Sequence, residues 1–228
     1  MNPELRTLNL KSMCGRYTMT STIEEISEVI PGKFQYPLFT PSYNIAPSQK
    51  ALIATHGDDE YVGELAKWGL VPHWMKNPKK PFINARSETI FEKPSFKYLY
   101  KNNRCVVIAD GFFEWSVLED VKRPVYFYLK DHKPFGFAGY WERDREEEDL
   151  KTFVIMTSDA NKDLEDFHHR MPVMLTRDGI EAWLAEGKKD VLRPFEGPIL
   201  NHVVSRIVNS PANNIPECIE PRTKTEAA

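Results

Sequence analysis

The run Arg104-Cys105-Val106-Val107-Ile108-Ala109, closing on Asp110-Gly111, is apolar and β-branched along almost its whole length. Residues 104–110, bounded by a turn signal, read as a buried strand. The flanking sequence carries the same signal. Residues 61–68 and 125–130 alternate apolar with polar side chains, and residues 135–141 and 152–157 add further strands. Helical patterns are fewer. Ile23, Ile26, Val29 and Ile30 share one face of residues 22–30, with Ser21 and Glu24 as a capping box and Pro31-Gly32 as the stop. Short helices are predicted at 95–101, 160–167 and 179–185, and a late strand at 201–205. Strands in runs, without regular strand–helix alternation, predict an α+β fold. The expected form is a single domain with a largely antiparallel, barrel-like β core and peripheral helices.

A chain of 228 residues can bury a sizeable core without covalent staples. Its three cysteines, Cys14, Cys105 and Cys218, are odd in number and far apart. That excludes a disulfide framework and a zinc knuckle, and no metal is expected. No phosphate-cradling glycine motif follows a strand, so no nucleotide cofactor is expected, nor any other cofactor. There is no apolar run near 18 residues and no signal-peptide stretch in residues 1–12, so no membrane role is expected and the default compartment is the cytoplasm.

The net charge of −3 argues weakly against general nucleic-acid binding, but the charge is segregated. Residues 75–104 hold eight Lys or Arg (among them Lys76, Lys79, Lys80 and Arg86) against two acids, while residues 105–150 hold six basic and eleven acidic residues. The first segment reads either as a solvated basic face or as a groove for an anion such as a phosphate backbone.

Cys14 is the cysteine in an unusual setting, directly after Met13. Were Met13 a start and then trimmed, Cys14 would carry a free α-amine beside its thiol. An α-amine has a pKa of about 7.7–8.0, so a useful neutral fraction exists at pH 7. A neutral amine attacks an aldehyde to give a Schiff base, on which the thiol can close a thiazolidine. Otherwise Cys14 is a plain thiolate nucleophile, or a buried inert residue. Glu114 is framed by Phe112, Phe113 and Trp115, a setting that suits a general acid–base, unless it is a surface residue on an edge strand. His168 and His169 are adjacent, and in extended chain they point to opposite sides, so at most one serves a site. Asn84 and Arg86 fall on one face of a strand, an amide and a guanidinium suited to phosphate or sugar oxygens. Trp68 and Trp74 flank a Gly- and Pro-marked bend, and one could stack on an unpaired base.

Together these segments resemble the SOS-response-associated peptidase (SRAP) family of abasic-site processing proteins. The matching stretches are Met13-Cys14-Gly15-Arg16-Tyr17-Thr18, Tyr43-Asn44-Ile45-Ala46-Pro47, Trp68-Gly69-Leu70-Val71-Pro72, Asn84-Ala85-Arg86-Ser87-Glu88, Asp110-Gly111-Phe112-Phe113-Glu114-Trp115 and His168-His169-Arg170-Met171-Pro172, with Val208-Asn209 near the end. The resemblance implies a DNA damage-response protein that binds single-stranded DNA and couples to abasic sites through an N-terminal cysteine, here Cys14, as a thiazolidine. It implies that Asn84, Glu114 and His168 act with Cys14, that Arg86 and Arg170 hold phosphates, and that Arg16 joins them. Self-cleavage ahead of the cysteine and lyase action at the lesion are also implied. A monomer associated with the nucleoid on DNA damage is expected. Residues 1–12 are an extension, from a misassigned start or a removed leader, residues 13–222 the domain and 223–228 a tail. A cysteine peptidase acting on proteins and a non-catalytic reader of modified DNA are the rival readings.

Overall fold

The structure is a computed structural model that describes residues 15–30, 40–57, 60–75, 81–118, 120–144, 147 and 149–222. Cys14, Pro31-Gly32, Lys76, Lys79, Lys80, the extension and the tail lie outside the described residues. Among the described residues, thirteen strands and two α-helices follow in order: β1 (Tyr17–Met19), α1 (Ile23–Val29), β2 (Ser42–Ile45), β3 (Lys50–His56), β4 (Tyr61–Trp68), β5 (Asn84–Arg86), β6 (Arg104–Ala109), β7 (Gly111–Leu118), β8 (Val121–Tyr128), β9 (Phe135–Arg143), β10 (Lys151–Asp159), β11 (Arg170–Pro172), β12 (Met174–Leu175), α2 (Arg177–Leu184) and β13 (Leu200–Val203).

They form two sheets. One runs β13-β8-β7-β1-β2, antiparallel throughout. The other is ring-like: β10, β4, β3, β6 and β9 follow one another, and β9 pairs back onto β10. Only β4 and β5 run parallel to β10. The expected single-domain, mostly antiparallel architecture therefore holds. The run at 104–109 is β6, covered by β3 on one edge and β9 on the other.

Aromatic side chains seat the first sheet on the ring. Tyr17 packs edge-on against Trp68 at 5.2 Å and Phe137 at 5.8 Å, and Phe112 meets Phe137 at 6.1 Å. Two glycines are required by geometry. A Cβ on Gly111 would lie 2.2 Å from the Tyr126 hydroxyl, and Gly69, at φ +129°, turns the chain out of β4 in a conformation that L side chains rarely adopt.

Three helix expectations shift. The α1 capping box is Thr22 with Glu25, one residue later than the sequence suggested. The reason is competition: the backbone N–H and hydroxyl of Ser21 both donate to Asp110. Ile26 and Ile30 are buried, but Ile23 is exposed. Residues 95–101 and 160–167 form successive turns rather than helices, with short-range bonds such as Phe96 N–H to Lys93 and Phe167 N–H to Leu164. Each turn buries residues three apart (Phe96 and Leu99; Leu164 and, partly, Phe167), which mimics helical periodicity.

Candidate functional site

Of the expected site residues, Asn84, Arg86, His168 and Arg170 gather along the C-terminal half of β10, Glu114 lies on β7, and Arg16, Trp68 and Trp74 lie elsewhere. β5 lies beside β10 in parallel, pairing Asn84 with Ile155 and Arg86 with Thr157. Ala85 packs inward, while Asn84 is half-buried and Arg86 exposed, as period-two alternation requires. Asn84, Arg86 and Thr157 line an open groove of about 340 Å³ together with Phe82 and Ile83.

On the other flank of β10, β11 pairs Arg170 with Asp159. Arg170 is only 5% exposed. Its guanidinium donates to both Glu88 carboxylate oxygens (2.6 and 2.8 Å), to Asp159 (2.6 Å) and to the Thr157 carbonyl (2.6 Å). Burial opposes this charge, but Glu88 and Asp159 outweigh it and raise the Arg170 pKa above its ordinary value. The guanidinium therefore ties β5, β10 and β11 together. Both terminal nitrogens of the fork are engaged inside the protein and Nε alone has no partner, so the residue as placed turns to Glu88 and Asp159 rather than to the expected phosphate.

The same turn orients His168. Its Nδ1 accepts from the Arg170 backbone N–H at 3.0 Å. The same Nδ1 lies 3.2 Å from the Arg170 carbonyl, so both Arg170 backbone contacts fall on Nδ1. Burial lowers the imidazole pKa, with His169 and Arg170 acting in the same direction against a backbone hydrogen bond to Arg170. His168 and His169 do not point to opposite sides: their rings stack at 4.5 Å, because this segment is a turn that precedes β11. No three metal-ligating residues cluster among the described residues.

Glu114 lies on β7 between β8 and β1, so it is not on an edge strand, and it is 4% exposed. Alternation puts its side chain on the face of Phe112, the face that meets the ring. Phe112 stacks on Phe127 at 5.3 Å, and Phe127 meets Phe167 edge-on at 5.2 Å. The residue before His168 is thereby held on the Glu114 face of the sheet.

Arg16 takes the opposite face. Phe113 N–H donates to its carbonyl at 3.0 Å, and Phe113 belongs to a second apolar cluster with Tyr126, Val204, Val208 and Cys218. Arg16 is 8% exposed. It donates to the Asn44 side-chain oxygen (2.5 Å) and the Val208 carbonyl (2.6 Å), with its guanidinium over the Trp115 ring at 5.7 Å. The expectation that Arg16 holds a phosphate is contradicted by this burial. Of the three arginines, Arg86 is the one that faces solvent.

The tryptophans also divide. Trp68 is 1% exposed, lies parallel to Phe153 and donates from Nε1 to the Ile83 carbonyl at 2.9 Å. It is a core residue bracing the segment before Asn84 and is closed to a base. Trp74 is 48% exposed. The preceding His73 pairs with Glu142 at 2.9 Å, and Glu142 also accepts from the Tyr98 hydroxyl.

Glu88, Asp159 and Asn44 were not singled out in the sequence. Glu88 and Asn44 lie inside motifs quoted above, but their partners lie 82 and 28 residues away. A larger groove of about 630 Å³ runs along α2, and none of the expected site residues lines it. No helix among the described residues is long and apolar enough to cross a membrane.

Comparison with known proteins gives a consistent picture. Residues 13–211 match the family described as SOS response associated peptidase (SRAP). The abasic site processing protein YoqW of Bacillus subtilis is 40% identical, over 91% of this chain and 99% of its own. The abasic site processing protein YedK of Escherichia coli is 32% identical, over 92% and 100%. The abasic site processing protein HMCES of Gallus gallus is 35% identical, over 80% of this chain and 67% of its own. A solved structure from Bacteroides thetaiotaomicron superposes with TM-score 0.77 and 26% identity, over 92% of this chain and all of that one.

Proposed function

The chain belongs to the SOS response associated peptidase family, and from that premise we propose that it processes abasic sites in DNA by coupling to them covalently through Cys14. The relatives named above are abasic site processing proteins. The observation that carries the reading is Glu114, a carboxylate buried on β7 beside the strand into which Cys14 leads. Gly15, bonded to Cys14, precedes Arg16, whose carbonyl accepts from Phe113 N–H.

The chemistry requires that residues 1–13 be removed, by a start at Met13 or by self-cleavage, so that Cys14 has a free α-amine. The amine attacks C1′ of the ring-opened sugar. The carbonyl oxygen leaves as water and a Schiff base remains. The thiol then adds across the C=N bond, sulfur to carbon and proton to nitrogen, giving a thiazolidine. Glu114 moves protons as the sugar opens and water departs. His168, with both Arg170 backbone contacts on Nδ1, serves the sugar hydroxyl through Nε2. Asn84 steadies a sugar oxygen, and Arg86 holds a phosphate at the groove. Trp74 offers a ring to an unpaired base, which favours single-stranded DNA. The Schiff base also acidifies the adjacent carbon, which opens a lyase branch. The same Cys14, Glu114 and His168 would serve self-cleavage. The protein is taken to act as a cytoplasmic monomer that joins the nucleoid on DNA damage.

Protein beginning at Cys14, incubated with single-stranded DNA carrying one abasic site, is expected to give an adduct that survives heating in denaturant. No adduct, or the same adduct from Cys14→Ala, overturns the reading.

A further inference from the structure

Arg16 is a buried cation with a costly environment. It is 92% buried by its 8% exposure, and burial lowers its pKa. It donates to an amide oxygen and a carbonyl, those of Asn44 and Val208. An ion removed from water costs several kcal/mol unless its geometry is well satisfied. An apolar residue would pack the same place more cheaply, so packing alone does not explain it.

What Arg16 touches gives the explanation. Asn44, its first acceptor, uses its own amide nitrogen to bond the carbonyls of Val208 (3.2 Å), Ser210 (3.0 Å) and Asn213 (2.7 Å). Trp115, under the guanidinium, donates to Asn209 at 2.7 Å. Tyr43 N–H bonds the Asn214 side chain at 2.7 Å. Residues 208–214 are thus bolted across β1, β2 and β7, and Arg16 is the bolt head. It sits two residues from Cys14, on the face of the sheet opposite Glu114. A phosphate on the Glu114 face cannot reach it.

We infer that Arg16 is a positioning residue, not a phosphate ligand: clamped by Asn44 and the 208–214 segment, it fixes the start of β1 so that the chain end ahead of it meets the lesion in one geometry. The inference rests on the coupling reaction proposed above. Misplacing a reacting group by about 1 Å can cost on the order of 100-fold in rate, whereas a lost phosphate contact weakens binding and flattens its salt dependence.

The test uses protein that begins at Cys14, with Arg16→Met and Arg16→Lys. Two quantities are read: the coupling rate constant at saturating abasic single-stranded DNA, and the affinity, with its salt slope, for the same strand carrying a tetrahydrofuran analogue that has no aldehyde. Lysine preserves a charge for a phosphate but lacks the planar guanidinium that lies over Trp115 while its Nη1 reaches Asn44 and Val208. Both variants are expected to slow coupling by about tenfold or more, with affinity within about twofold and the salt slope unchanged. Asn209→Ala, which removes only the Trp115 bond, guards against misfolding and should slow coupling by about two- to threefold. Weaker affinity with a reduced salt slope in Arg16→Met, restored in Arg16→Lys, overturns the inference and makes Arg16 a phosphate ligand. Unchanged rates in all three also overturn it. If wild-type protein forms no adduct, the coupling reading itself fails, and this inference with it.

Discussion

Two buried arginines, Arg16 and Arg170, invite the same expectation from sequence and meet different physics. Arg170 is neutralised by two carboxylates that keep some contact with solvent, Glu88 and Asp159, and its pKa is raised. Arg16 is held by uncharged oxygens and an indole ring, and its pKa is lowered. The first arrangement joins three strands at the end of β10. The second fastens the end of the chain behind the strand that follows Cys14. A guanidinium near a reactive group can therefore stabilise, position or bind, and its acceptors tell which.

The contrast is sharpest when each arginine is replaced by methionine. Arg170→Met should cost about 2–3 kcal/mol of stability in chemical denaturation. That is below the range for a fully buried pair, because Glu88 and Asp159 are partly exposed and can rehydrate. Arg16→Met should leave stability within about 1 kcal/mol of wild type, since no carboxylate is stranded, the buried charge is removed and Asn44 still bonds the Val208 carbonyl. Equal costs would mean that the two sites do not differ in kind.

Next in size is Glu88→Gln, expected to cost about 1–2 kcal/mol at pH 7. Burial raises the Glu88 pKa, but the Arg170 hydrogen bond outweighs it and holds the group below its ordinary value. Its contribution is therefore complete above the unfolded pKa of about 4.3 and lost as pH falls through the lower folded value. Glu88→Gln should flatten that acid limb, and an acid limb parallel to wild type would remove the ion pair from the account. Asp159→Asn should cost under about 1 kcal/mol, since Asp159 is largely exposed. The smallest effect belongs to the pH profile of coupling. With His168 lowered by burial, its inflection should fall below about 6.5 and vanish in His168→Gln.

Much of the fold was legible because long strands announce themselves. β4 matches its expected span, and β6, β8, β9 and β10 were found with ends shifted by one to four residues. β1, β2, β11 and β12, of two to four residues each, are too short for alternation to register, and β3 and β7, though longer, were not among the expected strands. The turns at 95–101 and 160–167 read as helices because they bury residues three apart. At the site, the motifs singled out Asn84, Glu114 and His168, which lie on β5, on β7 and just before β11. Burial was not legible. Trp68 and Trp74 sit in one motif, yet one is core and the other exposed. Pairings such as Arg16 with Val208 span 192 residues, a distance over which no local pattern carries information.

The central claim is that the free α-amine of Cys14 reacts. The most direct measurement is the intact mass of the species formed between abasic single-stranded DNA and two forms of the protein, one beginning at Cys14 and one retaining residues 1–13 with Met13→Ala to prevent an internal start. The first is expected to give the summed mass of protein and DNA less one water, and the second, if it stays uncleaved, no adduct. The same adduct on a chain that still carries its first thirteen residues would contradict the account, because an amide nitrogen cannot form the ring.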